Sequence, residues 1–235
     1  MIFGAGLGTR FKPWTDKHPK ALAPVNGKPL LQRNIEYLVS FGLKNIVVNV
    51  HHFADQIVES LQSNNDWGAN IIVSDEKDQV LETGGGLIKA KDLFDPQADI
   101  LTINVDILTS LDLHQFLSFH HQEKPLVSLA VTNRKTSRCF VFDQTLRLTG
   151  WKNLQTGEEK IKVHTADPIQ RAFSGISIFS PQFFEVVPQK GKFSLVDSFL
   201  SLAADYRILG FDHSGDKWVD VGKPETVEIA EKLFQ

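Results

Sequence analysis

Cysteine is nearly absent from the sequence, since Cys139 is the only one in 235 residues. No disulfide can form within the chain, and a single free thiol suits a reducing compartment, so we expect a cytoplasmic protein. The sequence also lacks an apolar run as long as a membrane span. Its N-terminus lacks the charged leader and apolar core of a secretion signal. We therefore expect no membrane association.

An excess of basic residues is missing as well. The sequence holds 25 Lys and Arg residues against 28 Asp and Glu residues, which gives a formal net charge of −3. Proteins that bind nucleic acid or acidic membranes usually carry a strongly basic surface, so neither partner is expected. Any nucleotide bound by this chain should be a small one, held by local positive charge.

Strands and helices alternate in the first half of the sequence. The apolar run Asn45–Val50 predicts a buried strand, and the stretches 29–41 and 54–61 have the periodicity of amphipathic helices. Further strands are predicted at 69–74 and 100–105. This order indicates an α/β, Rossmann-like fold with a mixed, mainly parallel sheet flanked by helices. Ligands of such sheets bind beyond the carboxyl ends of the strands.

A glycine-rich loop follows the short first strand. Its glycines, Gly4, Gly6 and Gly8, allow a sharp turn and close approach of the backbone to a ligand. Successive amides in such a turn can bind an anion, and Arg10 and Lys20 add positive charge beside it. We interpret the loop as a polyphosphate site, with a plain glycine-rich turn as the alternative. It matches neither the dinucleotide fingerprint nor the phosphate loop of common NTPases.

Two further stretches fall at the same edge of the predicted sheet. Gly84, Gly85 and Gly86 precede a helix predicted at 87–94, an arrangement that favours a phosphate or a flat ligand over a flexible turn. Asp106 ends a buried strand, where a carboxylate can carry a divalent cation. Asp106 could instead cap the helix predicted at 111–120, although Thr109 could also take that role.

Two pairs of adjacent histidines are interpreted as solvated residues of loops and helix ends. Neighbouring side chains point in different directions on helices and strands, so the pairs do not form a metal site. The pairs are His51 with His52 and His120 with His121.

Two extended strings are more specific than any single motif. The first is Gly6-Leu7-Gly8-Thr9-Arg10 with Pro13, Thr15, Pro19-Lys20, Leu22, Pro24-Val25 and Gly27-Lys28-Pro29-Leu30, and the second is Trp218-Val219-Asp220-Val221-Gly222-Lys223-Pro224-Glu225. Together they resemble the sugar-phosphate nucleotidyltransferase family. Within it they look most like the short bacterial enzymes acting on N-acetylmuramate 1-phosphate or mannose 1-phosphate. The chain departs from the family at Gly4, where alanine is common, and at Val105, which replaces the glycine of an Asn-Gly-Asp motif.

The resemblance implies a nucleoside triphosphate and a sugar 1-phosphate as substrates, with magnesium, or manganese, as the metal. Asp106 and Asp220 would hold the metal and would form the catalytic set with Arg10 and Lys20. The implied nucleotide-binding residues are Gly4, Ala5, Gly6, Leu7, Gly8, Thr9, Glu82, Thr83, Gly84 and Gly85. The implied sugar-binding residues are Asn104, Gly150, Lys152, Ser174 and Gly175. Lys152 could equally be a surface lysine on a flap.

The family fold implies a single nucleotidyltransferase domain over residues 1–235. Its nucleotide-binding half would be residues 1–125, and residues 126–235 would supply a small sugar-binding β lobe and the second metal motif. UTP or GTP is the favoured donor, and a monomer or small homo-oligomer is expected. Two alternatives stay open: an enzyme like choline-phosphate cytidylyltransferase, and a regulatory protein that binds a nucleotide-sugar without turnover.

Overall fold

The computed structural model describes all residues from Met1 to Gln235. Its strands are Ile2–Phe3 (β1), Pro24–Val25 (β2), Lys28–Pro29 (β3), Asn45–Val50 (β4), Asn70–Asp75 (β5), Ile100–Asn104 (β6), Ile107–Thr109 (β7), Val127–Thr132 (β8), Arg138–Phe142 (β9), Leu148–Asn153 (β10), Glu159–Ile161 (β11), Ile169–Phe179 (β12), Ile208–Asp212 (β13) and Trp218–Asp220 (β14). Its α-helices are Leu30–Ser40 (α1), Ala54–Ser63 (α2), Glu82–Lys89 (α3), Leu113–Glu123 (α4), Phe183–Val186 (α5), Leu195–Leu202 (α6) and Val227–Leu233 (α7). Short 3₁₀ helices lie at Thr9–Phe11, Trp14–Asp16, Lys20–Leu22, Asn65–Gly68, Lys91–Leu93 and Pro224–Thr226.

One large mixed sheet runs through both halves of the chain. Its strand order is β11-β10-β9-β12-β6-β1-β4-β5, and β8 lies between β12 and β13. β1 is parallel to both β4 and β6, and β4 is parallel to β5. β12 is antiparallel to β6, β8 and β9. The carboxyl ends of β1, β4, β6 and β8 therefore meet at one edge, as the alternation of strands and helices predicts.

Helices cover both faces of the sheet because successive strand residues point to opposite sides. Ile2 packs in a core with α1, α2 and α4, whereas the next residue, Phe3, packs in a second core with α3, α5 and α6. A third, smaller core joins the 3₁₀ helix at Thr9–Phe11, β14 and α7. None of the helices combines the length and apolarity needed to cross a lipid bilayer.

The second glycine stretch differs from its prediction. α3 begins at Glu82, so all three glycines lie inside the helix and not in a loop before it. Their Cα atoms face close neighbours: a Cβ on Gly85 would lie 2.1 Å from the carbonyl oxygen of Gly191. Glycine is therefore required by close packing against a distant segment, a constraint that local periodicity does not report.

Candidate active site

Two adjoining cavities lie at the carboxyl edge of the sheet. The first, of about 250 Å³, is lined by both motifs and by the end of β6: Phe3, Gly4, Gly6, Gly8, Thr9, Arg10, Lys20, Thr83, Asn104, Val105, Asp106 and Gly222. The second, of about 290 Å³, shares Phe3, Gly6 and Thr83 with the first and extends toward Asn49, Glu76, Val80 and Glu82. The two cavities form one continuous cleft over the end of β1.

In the first glycine loop, the first backbone amide is hydrogen-bonded within the protein and later ones are not. The amide of Gly4 donates to Asn49 Oδ1 at 2.7 Å, and Ala5 is buried. Beyond them the amides of Gly6, Leu7 and Gly8 donate to no group of the protein, and Leu7 is 46% exposed. Unpaired neighbouring amides at a cleft can bind an anion.

The turn of the loop requires a glycine at position 8. Its φ is +59°, and a Cβ there would lie 2.8 Å from Thr15 Cγ2 and 3.0 Å from Lys20 Cβ. The Thr15 hydroxyl donates to the Gly8 carbonyl at 3.0 Å, which fixes the turn. The glycine loop and Lys20 therefore pack directly against each other.

Lys20 and Asp106 form an ion pair at the centre of the cleft. Their side chains are only 11% and 19% exposed, so the pair is largely shielded from solvent. Asp106 does not cap α4, because the Asp112 carboxylate accepts the amides of His114 and Gln115 at 2.9 and 3.2 Å. This excludes the capping role that the sequence left open for Asp106 and Thr109.

Val105 does not disturb the placement of Asp106. Its side chain is buried, its amide donates to the Phe3 carbonyl at 3.1 Å, and its carbonyl accepts from Asn34 Nδ2 at 2.9 Å. The backbone before Asp106 is thus held on both sides without the glycine that the family motif carries.

Asp220 lies beside Asp106 because β14 pairs with β7. The register places Asp220 opposite Ile107, and the amide of Val221 donates to the Asp106 carbonyl at 2.8 Å. Burial raises the pKa of Asp220, and the neighbouring charge of Asp106 adds to the rise. Lys20, Arg10 and Arg134 act in the opposite direction. Two carboxylates and three cations thus share one site.

One carboxylate oxygen at this site has no partner. Asp220 Oδ1 is buried and forms no hydrogen bond. A Cβ on Gly222 would lie 2.6 Å from that oxygen and 3.0 Å from Arg10 Nη2, so a larger residue at position 222 would displace these two side chains. An unpartnered buried oxygen next to a second carboxylate fits a hard divalent cation, which prefers oxygen ligands. No cluster of three or more His, Cys, Asp or Glu side chains that could hold a metal occurs in the chain, so the protein would contribute only the two carboxylates here.

A buried carboxylate ties the two glycine stretches together. Glu76 is fully buried, and its two oxygens accept Asn49 Nδ2 at 2.7 Å and the amide of Leu81 at 3.1 Å. Asn49 in turn holds Gly4. Neither Asn49 nor Glu76 was singled out from the sequence. Polar residues at the ends of β4 and β5 were the signal that could have indicated them.

The backbone amides of Gly84 and Gly85, two of the implied nucleotide-binding residues, already have a partner within the protein. Both amides donate to the Phe193 carbonyl, at 3.0 and 3.2 Å, so they are not available to a nucleotide. Thr83 lines both cavities, and Glu82 has an exposed side chain with φ of +61° at the cavity rim. Thr83 Oγ1 accepts the amide of Leu195 at 3.1 Å.

The predicted sugar-binding residues do not all face the cleft. Asn104 lines it, and Gly175, with φ of +77°, lies where a Cβ would be 3.0 Å from Asn104 Nδ2. Ser174 is fully buried, and its hydroxyl is 2.8 Å from His213 Nε2, so its side chain cannot contact a sugar.

The remaining two predicted sugar-binding residues lie on β10. Gly150 packs against β11, since a Cβ would lie 2.8 Å from the Lys160 carbonyl. Packing between the two strands therefore requires a glycine at position 150. Lys152 pairs with Glu159 at 2.7 Å.

Arg134 is a second charged residue, after Glu76, that sequence analysis missed. It follows β8 at the same sheet edge, and its guanidinium carbon lies 3.7 Å from the centre of the Trp218 ring. Nη1 donates to Thr132 Oγ1 at 3.1 Å and Nη2 donates to the Phe173 carbonyl at 2.7 Å. Burial lowers the pKa of Arg134 to about 10, and the Asp220 carboxylate partly offsets this. A single arginine after a strand carries no motif that could have identified it.

Open amides, paired carboxylates and several cations around one cleft suit the handling of phosphate groups, so fold and geometry define an α/β enzyme of phosphate transfer. The family model described as nucleotidyl transferase matches residues 1–234, and the chain belongs to this family. The family, the fold class and the enzyme class expected from the sequence are thereby confirmed.

Two curated relatives match over nearly their whole length. The N-acetylmuramate alpha-1-phosphate uridylyltransferase of Caulobacter vibrioides is 31% identical over 98% of this chain and 94% of its own. The enzyme of the same description from Neisseria meningitidis serogroup B is 30% identical over 99% and 96%. More distant is the mannose-1-phosphate guanylyltransferase catalytic subunit beta of Xenopus tropicalis, 25% identical over 96% of this chain and 61% of its own.

Solved structures share the fold. HddC from Yersinia pseudotuberculosis, complexed with GMP-PN, superposes with a TM-score of 0.80 over 100% of this chain and 98% of its own, at 23% identity. A putative glucose-1-phosphate thymidylyltransferase from Bacillus anthracis gives 0.82 over 99% and 93%, at 16% identity.

Proposed function

We propose that the protein transfers a nucleotidyl group from a nucleoside triphosphate to a sugar 1-phosphate, giving a nucleotide-sugar and pyrophosphate. The observation that carries this proposal is the strand pairing that brings Asp220 next to Asp106, with Asp106 in the same cavity as the glycine loop. Uridylyl transfer to N-acetylmuramate α-1-phosphate is the leading case, because the two relatives that match along nearly their full length carry that description. Guanylyl transfer to mannose 1-phosphate is the second case.

In the proposed reaction, a phosphate oxygen of the sugar 1-phosphate attacks the α-phosphorus of the triphosphate in line. A new phosphorus–oxygen bond forms, the bond to the β-phosphate breaks, and pyrophosphate leaves. The attacking phosphate is already ionised at neutral pH, so no general base is needed. The protein has to position the two substrates and neutralise charge.

The open part of the glycine loop would hold the triphosphate. Its amides, at Gly6, Leu7 and Gly8, would donate to phosphate oxygens, and Arg10 would balance the charge of the departing pyrophosphate. Lys20, packed against Gly8 and paired with Asp106, would bring positive charge to the α-phosphate.

Asp106 and Asp220 are the residues that would hold magnesium or manganese, and the orphaned Asp220 Oδ1 fits such an ion. Two carboxylates alone are a usual protein contribution to a magnesium site, with phosphate oxygens and waters completing the shell. The bound ion would supply charge neutralisation at the α-phosphate. The unpaired oxygen and the raised pKa of Asp220 support this assignment over a purely structural carboxylate.

A pyrophosphate-release assay tests the proposal. Four nucleoside triphosphates are combined with choline phosphate and with the 1-phosphates of N-acetylmuramate, N-acetylglucosamine, mannose and glucose, with and without magnesium. We expect turnover with UTP or GTP and one or more sugar 1-phosphates, and its loss in excess chelator. Turnover confined to CTP and choline phosphate would replace the sugar assignment, and turnover that survives the chelator would remove the metal from the mechanism.

A further inference from the structure

Arg134 carries a positive charge that no ion pair in the protein balances. Arg171 on the same lobe pairs with Asp212 at 2.7 Å, whereas Arg134 has a hydroxyl, a carbonyl and an indole ring as its partners. Buried charges are normally paired, because removing a charge from water is costly. A half-buried guanidinium without a carboxylate partner is therefore suited to an anion that comes from outside the protein.

The position of the Arg134 side chain is fixed by contacts with neighbouring residues. The Trp218 ring beneath it is fixed by a hydrogen bond from Nε1 to the Ser174 carbonyl at 3.0 Å. The Ser174 hydroxyl is in turn 2.8 Å from the buried His213. A chain of buried contacts thus sets the plane of the guanidinium. Of its five N–H donors, two are used by Thr132 and Phe173, which leaves donors for a ligand.

The location of Arg134 indicates which substrate would supply the anion. It lies two residues beyond the end of β8, and its charge acts on Asp220. The triphosphate would already be served by Arg10, Lys20 and the open amides, which line one cavity, whereas Arg134 is not among the residues that line it. β8 pairs with β12, and Gly175 on β12 lies beside Asn104; both residues are among those that the sequence implies for the sugar.

Lys152, the cation on this lobe that the sequence indicates, is already paired with Glu159 at 2.7 Å. We propose that Arg134, stacked on Trp218, binds an anionic group of the acceptor sugar, either its 1-phosphate or a carboxylate of the sugar. This inference rests on the proposed function and names a residue for its acceptor site.

Steady-state kinetics of Arg134→Gln test the proposal, with Arg171→Gln as the matched control on the same lobe and Lys152→Gln as the test of the rival cation. We expect Arg134→Gln to lower kcat/KM for the acceptor by about 10–100-fold, as for loss of a hydrogen bond to a charged group. The KM for the nucleotide should stay within about twofold. Arg134→Lys should recover only part of the loss, because an ammonium cannot reproduce the planar, stacked fork.

Two acceptors distinguish the two anions. An equal loss for the 1-phosphates of N-acetylglucosamine and N-acetylmuramate identifies the phosphate as the ligand, since only muramate carries a carboxylate. A loss confined to the muramate compound identifies the carboxylate. A normal acceptor KM in Arg134→Gln, or a selective loss in Lys152→Gln instead, overturns the proposal. If Arg134→Gln does not fold, Arg134→Lys and Trp218→Phe are measured in the same way.

A binding readout separates this inference from the proposed function. Quenching of tryptophan fluorescence by the acceptor is measured with a non-hydrolysable UTP analogue present, in the wild type and in Arg134→Gln. Binding that depends on Arg134 without any turnover would refute the proposed function and leave the inference standing. Turnover and binding that are both indifferent to Arg134 would refute the inference and leave the function standing.

Discussion

Replacing Lys20 by Met separates the structural role of the Lys20–Asp106 pair from its chemical role. The substitution keeps most of the side-chain length and removes only the charge. Removing one partner of a fully buried ion pair costs about 3–5 kcal/mol, because the other charge is left buried and unpaired. Here the side chains are 11% and 19% exposed, and water can reach Asp106. The expected cost is therefore reduced to about 2 kcal/mol.

The unfolding temperature and the catalytic rate should respond differently. For a domain of this size, about 2 kcal/mol corresponds to a fall in Tm of roughly 4–8 °C. The double variant Lys20→Met/Asp106→Asn removes the unpaired charge as well, so its Tm should return toward that of the wild type. Turnover should fall by about 10²–10³ in Lys20→Met, as for loss of one preorganised electrostatic contact. It should stay low in the double variant.

Thermal unfolding and pyrophosphate release, measured on the same samples, check this pair of outcomes. The close conservative variant Lys20→Arg keeps the charge and serves as the control for stability. Restored turnover in the double variant would mean that the pair only holds the fold and that neither side chain acts on phosphate. An unchanged Tm in Lys20→Met would mean that Asp106 does not depend on Lys20 for compensation.

Two further predictions concern stability. Gly85→Ala should lower the free energy of unfolding by about 1–3 kcal/mol, because a Cβ would lie 2.1 Å from the Gly191 carbonyl oxygen. A denaturant titration measures this change, with Gln62→Ala on the exposed face of α2 as the control. A cost no larger than that of the control would show that the Gly191 segment simply moves away. Burial lowers the pKa of His120; the charge of Asp99 opposes this shift and that of His121 adds to it. As the pH falls below 6.5, the ordinary pKa of histidine, the unfolded chain therefore takes up the proton before the folded chain does. Stability should therefore decline below that pH, less steeply in His120→Gln than in the wild type, and parallel pH profiles would contradict the assignment.

Residues at strand ends were predictable because two independent signals coincide there. Apolar runs mark β4 and β6, and the strings around Arg10 and Asp220 bring a family likeness to the places where strands end. The fold class follows from the same alternation. The roles of Arg10, Lys20, Asp106 and Asp220 remain predictions, which the structure brings together in one cleft.

The sequence interpretation failed where distant segments decide the local structure. Gly84 and Gly85 resemble a loop, but Phe193 and Gly191 pack so closely on them that a helix there must carry glycine. His120 was expected to be solvated, yet it is 2% exposed and its ring nitrogen Nδ1 lies 2.8 Å from Ser128 Oγ. The position of the Arg134 side chain is likewise set by its contacts with Thr132, Phe173 and Trp218. Spacing along the chain reports none of these contacts.

The acidic pair of the site is completed by the last segment of the chain. β14 supplies Asp220, and β14 and α7 pack on the segment that directly follows the glycine loop. Asn26 Nδ2 donates to the carbonyls of Glu231 and Phe234 at 3.0 and 3.1 Å, and Arg33 Nη1 donates to the same Phe234 carbonyl at 3.2 Å. The second carboxylate therefore reaches Asp106 only when this C-terminal segment is seated against the first motif. The segment after the glycine loop, β14 and α7 share one hydrophobic core, so the two strings at opposite ends of the sequence meet at one site.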